Sequence, residues 1–505
     1  MAMAYDYIKK ILTAHVYDVA SETPLEFAPM LSRRLDNVVW LKREDEQPVF
    51  SFKCRGAYNK MVALPRQALK QGVVAASAGN HAQGVALAAS RLKTRATIVM
   101  PRTTPQIKVE AVRRLGGKVV LYGDNYDEAY EQAVELEKSA GLTFVHPYDD
   151  PDVIAGQGTI GFEILKQHAG DLHAIFVPVG GGGLIGGIAV YVKQLRPDIR
   201  IIGVEPEDAD AMARSLAAGR RVRLEHVGIF ADGVIVRSPG KENFRLAKRF
   251  VDEVVVVSND EICAAIKDIF EDQRLILEPA GALGFAGLKR YVERERVKGL
   301  QLVAIASGAN VNFDRLRYVS ERAEVGERRE AILAVTIPEH PGSFRKFCGV
   351  VGNRNITEFN YRFDDPKRAH VFVGVQISNV REVKQLVKAL RGHGYPTLDM
   401  SDNEMAKLHI RHLVGGRAPN AMNEILYRFE FPERPGALRN FLNKMGQTWN
   451  ISLFHYRNHG ADFGRVLVGM QVPPEEQKEF KAFLDNLGYE YVDETDNPAY
   501  QLFLS

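Results

Sequence analysis

Apolar positions in the first 320 or so residues alternate between two periods. Short β-branched runs at 72–76, 96–100, 118–122, 174–179 and 200–204 read as buried strands. Between them, apolar residues recur every three or four positions over 80–92, 106–115, 126–139 and 184–195, which predicts amphipathic helices. That rhythm predicts a mostly parallel α/β sheet with helices on both faces and right-handed crossovers.

The pattern changes at 317–330 (RYVSERAEVGERRE), a charged stretch read as a linker helix and domain boundary. A repeat follows. AILAVTIPEHPGSFRKF at 331–347 returns as LYRFEFPERPGALRNF at 426–441. NITEFNYR at 355–362 returns as NISLFHYR at 450–457, and VGVQI at 373–377 as VGMQV at 468–472. The separation grows by a single residue between the Pro-Gly and Tyr-Arg pairs, as duplication followed by drift would leave. Each copy reads strand, Pro-Gly turn, helix, strand, strand, helix, strand: an α+β ferredoxin-like unit with Pro-Gly at the start of its first helix. The expected organisation is a domain over 1–320, a linker over 321–330, and repeats over 331–413 and 424–505, joined by a Gly/Pro-bearing segment at 414–423.

Composition narrows the class. The 505 residues are 46% hydrophobic and 26% charged, which excludes a disordered chain, a collagen and a coiled coil. Lys+Arg of 66 against Asp+Glu of 63 gives a net charge of +3 and no reason to expect nucleic acid. Cys54, Cys263 and Cys348 show no metal or disulfide spacing. The uncharged stretch 174–192 is glycine-rich at one point and reads as strand, loop and helix rather than a membrane span. The first residues lack signal- or transit-peptide character, so a soluble, cytoplasmic chain is expected.

The candidate chemistry begins with GGGGLIGG at 180–187, after a strand and opening a helix. Unobstructed amides at a helix N-terminus make a phosphate site. Gly181, Gly183 and Gly186 also fit the dinucleotide fingerprint, with Glu205 ending the next strand, so this stretch alone favours a nicotinamide dehydrogenase. Two earlier segments argue otherwise. In SFKCRGA at 51–57 a lysine follows an aromatic and precedes a helix; in SAGNHAQG at 77–84 small residues, Asn and His open a helix. Singly, these could be a solvated lysine and an ordinary capped helix.

Taken in order with 180–184, EPAGA at 278–282 and SGAN at 307–310, the set resembles the fold-type II pyridoxal-phosphate enzymes. With the C-terminal repeat it is similar to the long, biosynthetic threonine deaminases (threonine ammonia-lyases), whose regulatory region holds two ACT-like units. The resemblance covers essentially the whole chain. It implies pyridoxal 5'-phosphate held by Lys53 as a Schiff base, Phe52 beside the ring, and Asn80 on the phenolic oxygen. It implies Gly180, Gly181, Gly182, Gly183 and Leu184 on the phosphate and Ser307 facing the ring nitrogen. Ser77, Gly79, Asn80 and His81 would take the substrate carboxylate. A hydroxyl at the ring nitrogen makes a weaker electron sink than a carboxylate, which suits β-elimination of a hydroxyl. The implied reaction converts L-threonine to 2-oxobutanoate and ammonia, the first step of isoleucine biosynthesis. L-Serine dehydration or another fold-type II lyase reaction is the alternative.

The same resemblance implies isoleucine as feedback inhibitor, valine as its antagonist, and a homotetramer. Tyr361 and Tyr456, at matching places in the two copies, are the leading effector candidates, with Phe344 and Arg354 near the same expected cleft. Acidic residues 205–210 could hold a cation, but read better as acids at a helix start, and no metal is expected.

Overall fold

A computed structural model describes residues 2–228, 230–313, 315–326, 329–403, 406, 410–412, 416, 418–432, 437–445, 448–457, 463–498, 500 and 504. The chain divides into two compact units, Met1–Gly326 and Glu327–Ser505.

The first unit carries strands β1 (Leu25–Phe27), β2 (Val38–Arg43), β3 (Val73–Ala76), β4 (Ala96–Met100) and β5 (Lys118–Leu121). They are followed by β6 (Thr143–Phe144), β7 (Ala174–Pro178), β8 (Arg200–Pro206), β9 (Glu253–Val257) and β10 (Gln301–Ala306). One sheet has the order β1-β2-β10-β7-β8-β9, parallel except for β1 against β2. A second, wholly parallel sheet has the order β5-β4-β3-β6. The helical expectations are met closely: Asn80–Leu92, Gln106–Arg114, Tyr126–Ala140 and Gly183–Leu195.

Alternation along β7 shows why its sequence is apolar throughout. Phe176 packs with Ile202, Val204 and Phe285 on one face, while Ile175 and Val177 pack with Ile185 and Ile188 on the other. Segment 174–192 is β7 plus the start of helix Gly183–Leu195, and among the described residues no helix is long and apolar enough to cross a membrane.

Local signals place the helices. Asp150 caps helix Pro151–Gln167, accepting from the Asp152 and Val153 N–H groups with Pro151 at the first position. Ser258 and Glu261 close a capping box on helix Asn259–Gln273. Helix Lys53–Val62 meets helix Pro151–Gln167 through paired glycines: a Cβ on Gly156 would lie 2.7 Å from the Gly56 Cα. Larger residues there would push apart the helix that begins with Lys53. Helix Arg315–Gly326 covers most of the charged stretch read as a linker and packs on helix Asn259–Gln273 within the first unit.

The second unit carries β11 (Glu330–Pro338), β12 (Ile356–Arg362), β13 (Arg368–Gln376), β14 (Thr397–Asp399), β15 (Glu424–Pro432), β16 (Asn450–Arg457), β17 (Phe463–Gln471) and β18 (Glu490–Asp493). Helices Ser343–Val351 and Val380–Gly392 belong to the first copy, Ala437–Met445 and Gln477–Leu487 to the second. Both repeats thus follow the predicted element order. Their strands form one eight-stranded sheet, β14-β11-β13-β12-β16-β17-β15-β18, joined by the antiparallel pair β12–β16. In that pair Phe359 faces Tyr456, Asn360 faces His455 and Tyr361 faces Phe454, so the two copies meet about a local two-fold axis at Asn360–His455. Pro435 and Gly436 of the second turn, and Val414, Gly415 and Arg417 of the connector, lie outside the described residues.

Candidate active site

The motif loops converge because they leave the carboxyl ends of parallel strands. Ser77 follows β3, the glycine run follows β7 and Ser307 follows β10, the usual location of sites in open α/β sheets. Together they line an open cleft of about 810 Å³ that includes Lys53, Asn80, Gly180–Leu184 and Ser307.

Lys53 opens helix Lys53–Val62, and its Nζ donates to the Pro147 carbonyl at 3.0 Å and lies 5.3 Å from the Phe52 ring centroid. Burial pulls its amine down to about 8, and the nearby Glu278 charge only partly opposes this. The amine therefore has a substantial neutral fraction near physiological pH.

The glycine cradle is shaped by its neighbours. A Cβ on Gly181 would lie 2.2 Å from the Tyr148 ring, and one on Gly183 would lie 2.9 Å from the Tyr148 carbonyl. Gly182 has φ +93°, and a Cβ there would lie 2.7 Å from Met212 Cε. Asn243 holds the run in place, donating from Nδ2 to the Gly181 carbonyl at 2.8 Å and to the Tyr148 carbonyl at 3.1 Å. What remains facing the cleft is backbone at the N-terminus of helix Gly183–Leu195, where amides lack helical partners.

On the opposite wall, Ser77 Oγ accepts from the Gly79 N–H at 3.2 Å, and Asn80 begins helix Asn80–Leu92. Asn80 Nδ2 donates to Glu278 Oε1 at 2.6 Å, and Asn80 Oδ1 accepts from Asn310 Nδ2 at 2.7 Å. His81 lines the cleft with its Nε2 at 2.8 Å from the Val145 carbonyl; burial lowers its pKa to about 3, so it is neutral. Ser307 Oγ donates to the Ala280 carbonyl at 3.2 Å.

Sequence reasoning gave no role to Glu278, Tyr148 or Asn243. Burial raises the Glu278 carboxyl to about 7, with Asp232 adding to the rise. Its position in EPAGA was the available signal; the Tyr148 and Asn243 contacts have none in the sequence. Glu205, the acid a dinucleotide site would need, is instead buried and accepts from the Met212 and Ala213 N–H groups at 2.8 Å each. It caps helix Ala211–Ala218 and presents no carboxylate to a ribose. All three cysteines are buried free thiols, and burial pushes Cys54, beside Lys53, up to about 12.

In the second unit Phe344 and Tyr361 pack with ring centroids 4.9 Å apart, and Phe344 borders a cleft of about 20 Å³ with Pro341, Trp449, Asn450 and Ile451. The Tyr361 hydroxyl donates to Glu339, which also accepts from Asn450 Nδ2 at 3.1 Å. Tyr456 is fully buried in the β12–β16 joint. Arg354 is not among the cleft's lining residues; it is paired with Glu382 at 2.7 Å on its own copy's second helix.

Residues 16–308 match the family described as pyridoxal-phosphate dependent enzyme, and residues 321–410 and 415–504 each match the C-terminal regulatory domain of threonine dehydratase. The site and sheet order accordingly define a fold-type II pyridoxal-phosphate enzyme with a duplicated regulatory region. Over 505 residues the chain is 60% identical to the biosynthetic L-threonine dehydratase IlvA of Burkholderia multivorans, covering 99% of this chain and 100% of that one. It is 54% identical to the protein of that name from Escherichia coli, over 99% and 97% of the two chains. The processed form of threonine deaminase isoform 2 from Solanum lycopersicum superposes with a TM-score of 0.63 at 54% identity, over 64% of this chain and 94% of that one. The chain belongs to the biosynthetic threonine dehydratase family.

Proposed function

We propose that this enzyme dehydrates and deaminates L-threonine to 2-oxobutanoate and ammonia at the Lys53 cleft, under feedback control by its duplicated regulatory unit. The observation that carries the catalytic reading is the pairing of a buried amine of lowered pKa with a side-chain-free glycine cradle lining the same cleft. Those residues fit pyridoxal phosphate, because the cradle leaves no room for a Cβ and presents helix-terminal amides suited to a phosphate. When bound, the cofactor supplies a covalent anchor for the substrate amine and a sink for the Cα electron pair.

The chain's own groups do the rest. Lys53, near neutral, holds the cofactor and, once displaced, takes the Cα proton. The Ser77 hydroxyl and the backbone N–H groups of Gly79, Asn80 and His81 at a helix start would bind the substrate carboxylate. Asn80 Nδ2 would donate to the phenolic oxygen, and Phe52 would pack against the ring. Ser307 would offer a neutral hydroxyl at the ring nitrogen, a weaker partner than a carboxylate and one that suits loss of a β-hydroxyl. The resulting enamine leaves, tautomerises and is hydrolysed. L-Serine, one methyl smaller, is a weaker substrate of the same cleft.

In the regulatory unit, isoleucine is the inhibitor and valine its antagonist, with Tyr361, Phe344 and Tyr456 near the effector and Arg354 shaping the equivalent region of the other copy. A cleft of about 20 Å³ has room for roughly one water, so an amino acid must widen it. That supplies the two states a feedback effect requires, with a coupling of ~1–3 kcal/mol as the typical scale. Domain limits of 1–320, 331–413 and 424–505, a homotetramer and a cytoplasmic location complete the reading.

The test is 2-oxobutanoate formation from threonine, with and without isoleucine, in the wild type and Lys53→Ala. Turnover suppressed by isoleucine, absent in Lys53→Ala together with the lysine-bound cofactor's absorbance, is expected. Undiminished turnover in Lys53→Ala overturns the assignment.

A further inference from the structure

Asn80 can serve the cofactor's phenolic oxygen only if its amide presents nitrogen, not oxygen, to the cleft. Nothing on its own helix decides this. The deciding contact comes from Asn310, in the SGAN loop after β10, a residue that is not among those lining the cleft. Asn310 Nδ2 lies 2.8 Å from the Val49 carbonyl and 2.7 Å from Asn80 Oδ1. A backbone carbonyl can only accept, so the Asn310 atom facing it is the NH2 group. Its second N–H must then find an acceptor at Asn80, which fixes that atom as oxygen. The Asn80 NH2 is left facing Glu278 Oε1 at 2.6 Å, with one N–H for the carboxyl and one for the cleft.

The far end of this chain is equally constrained. A Cβ on Gly308 would lie 2.5 Å from Glu278 Oε1, and the Glu278 N–H donates to the Gly308 carbonyl at 3.2 Å. One loop therefore carries both the residue that orients Asn80 and the glycine that makes room for its acceptor.

We propose that Asn310 is a positioning residue that locks the Asn80 amide, through the Val49 carbonyl, with its N–H toward the cofactor's phenolic oxygen. Asn310 touches neither substrate nor cofactor and acts through Asn80; the inference rests on the cofactor reading above. The charged groups around the relay are Glu278, Lys53, Asp232, Lys108 and Arg315, and the test leaves them all in place.

The test is Asn310→Asp in the full-length holoenzyme. A carboxylate has no N–H to offer Asn80, so the amide turns and the donor to the phenolic oxygen is lost. A hydrogen bond to a charged group is worth about 1.5–3 kcal/mol, equivalent to about one to two pH units. The pH midpoint of the bound cofactor's visible absorbance should rise by about one unit or more, with kcat falling and KM for threonine less affected. Asn310→Ala, which merely frees the amide, should move the midpoint the same way by less, and it stands in if the aspartate variant does not fold. A folded variant that keeps the wild-type midpoint overturns the proposal. A wild type that binds no pyridoxal phosphate overturns the cofactor reading instead, so the two failures are distinguishable.

Discussion

Lys53 shows how one side chain's environment sets its chemistry. Its ammonium is desolvated, and its Nζ donates to a backbone carbonyl, which stabilises it less than a carboxylate would. The amine therefore loses its proton near pH 8 instead of at its ordinary value of 10.5. The neutral form is the nucleophile, so the rate at which the cofactor-free enzyme takes up pyridoxal phosphate should climb with pH and level off above a midpoint of about 8. Stopped-flow absorbance across a pH series measures it, and a midpoint near 10.5 would contradict the burial of this amine. Glu278 moves the other way, protonating at about 7 because burial penalises its charge. A cofactor-uptake curve with a second, lower inflection would report that group.

At the scale of the element, helix Lys53–Val62 is held by a buried ion cluster that contributes nothing to the reaction directly. Arg55 donates to Glu44 at 2.8 Å and is paired with Glu163 from a second side, while Lys42 bonds Glu163 at 2.6 Å; all four side chains are fully buried. Removing Arg55 leaves Glu44 without its ion-pair partner and Glu163 with Lys42 alone, and such changes cost about 3–5 kcal/mol. Arg55→Ala should lower the denaturant midpoint of the first unit accordingly and displace Lys53, whereas Arg55→Lys should recover only part because it cannot fork to both acids. This cluster was invisible in the sequence. Its partners stand 11 and 108 positions from Arg55, and a charged residue inside SFKCRGA reads as a surface group until the fold closes over it. The helices and strands themselves were legible because their signals are local: alternation along β7, the Asp150-Pro151 cap, the Ser258–Glu261 box. The site was half legible. The glycine run and Lys53 announce themselves by pattern, but the direction of the His81 ring depends on Val145, 64 positions away. The separation of the parallel strands into two sheets depends on pairings such as β2 with β10, which no local period encodes.

At the scale of the molecule, each unit has its own hydrophobic cores: among the described residues, those around β7 and β3 contain none beyond 326, and that of the eight-stranded sheet none before 331. A chain ended at Gly326 should thus still turn over threonine while losing all response to isoleucine, and a steady-state assay with and without the effector decides it. Response persisting in that variant would place the effector in the first unit. The second unit has a further consequence. Across its local two-fold axis, Arg354 and Trp449 occupy equivalent positions, and each bonds a glutamate at the start of its own copy's second helix, Glu382 for one and Glu476 for the other. Two separate, identical subunits could not differ at that place, because any mutation would appear on both sides at once. Joining them in one polypeptide gives each side its own heredity. The pairing of β12 with β16 preserves the architecture of a symmetric dimer, while the single chain lets a cationic side chain evolve on one side and an aromatic one on the other.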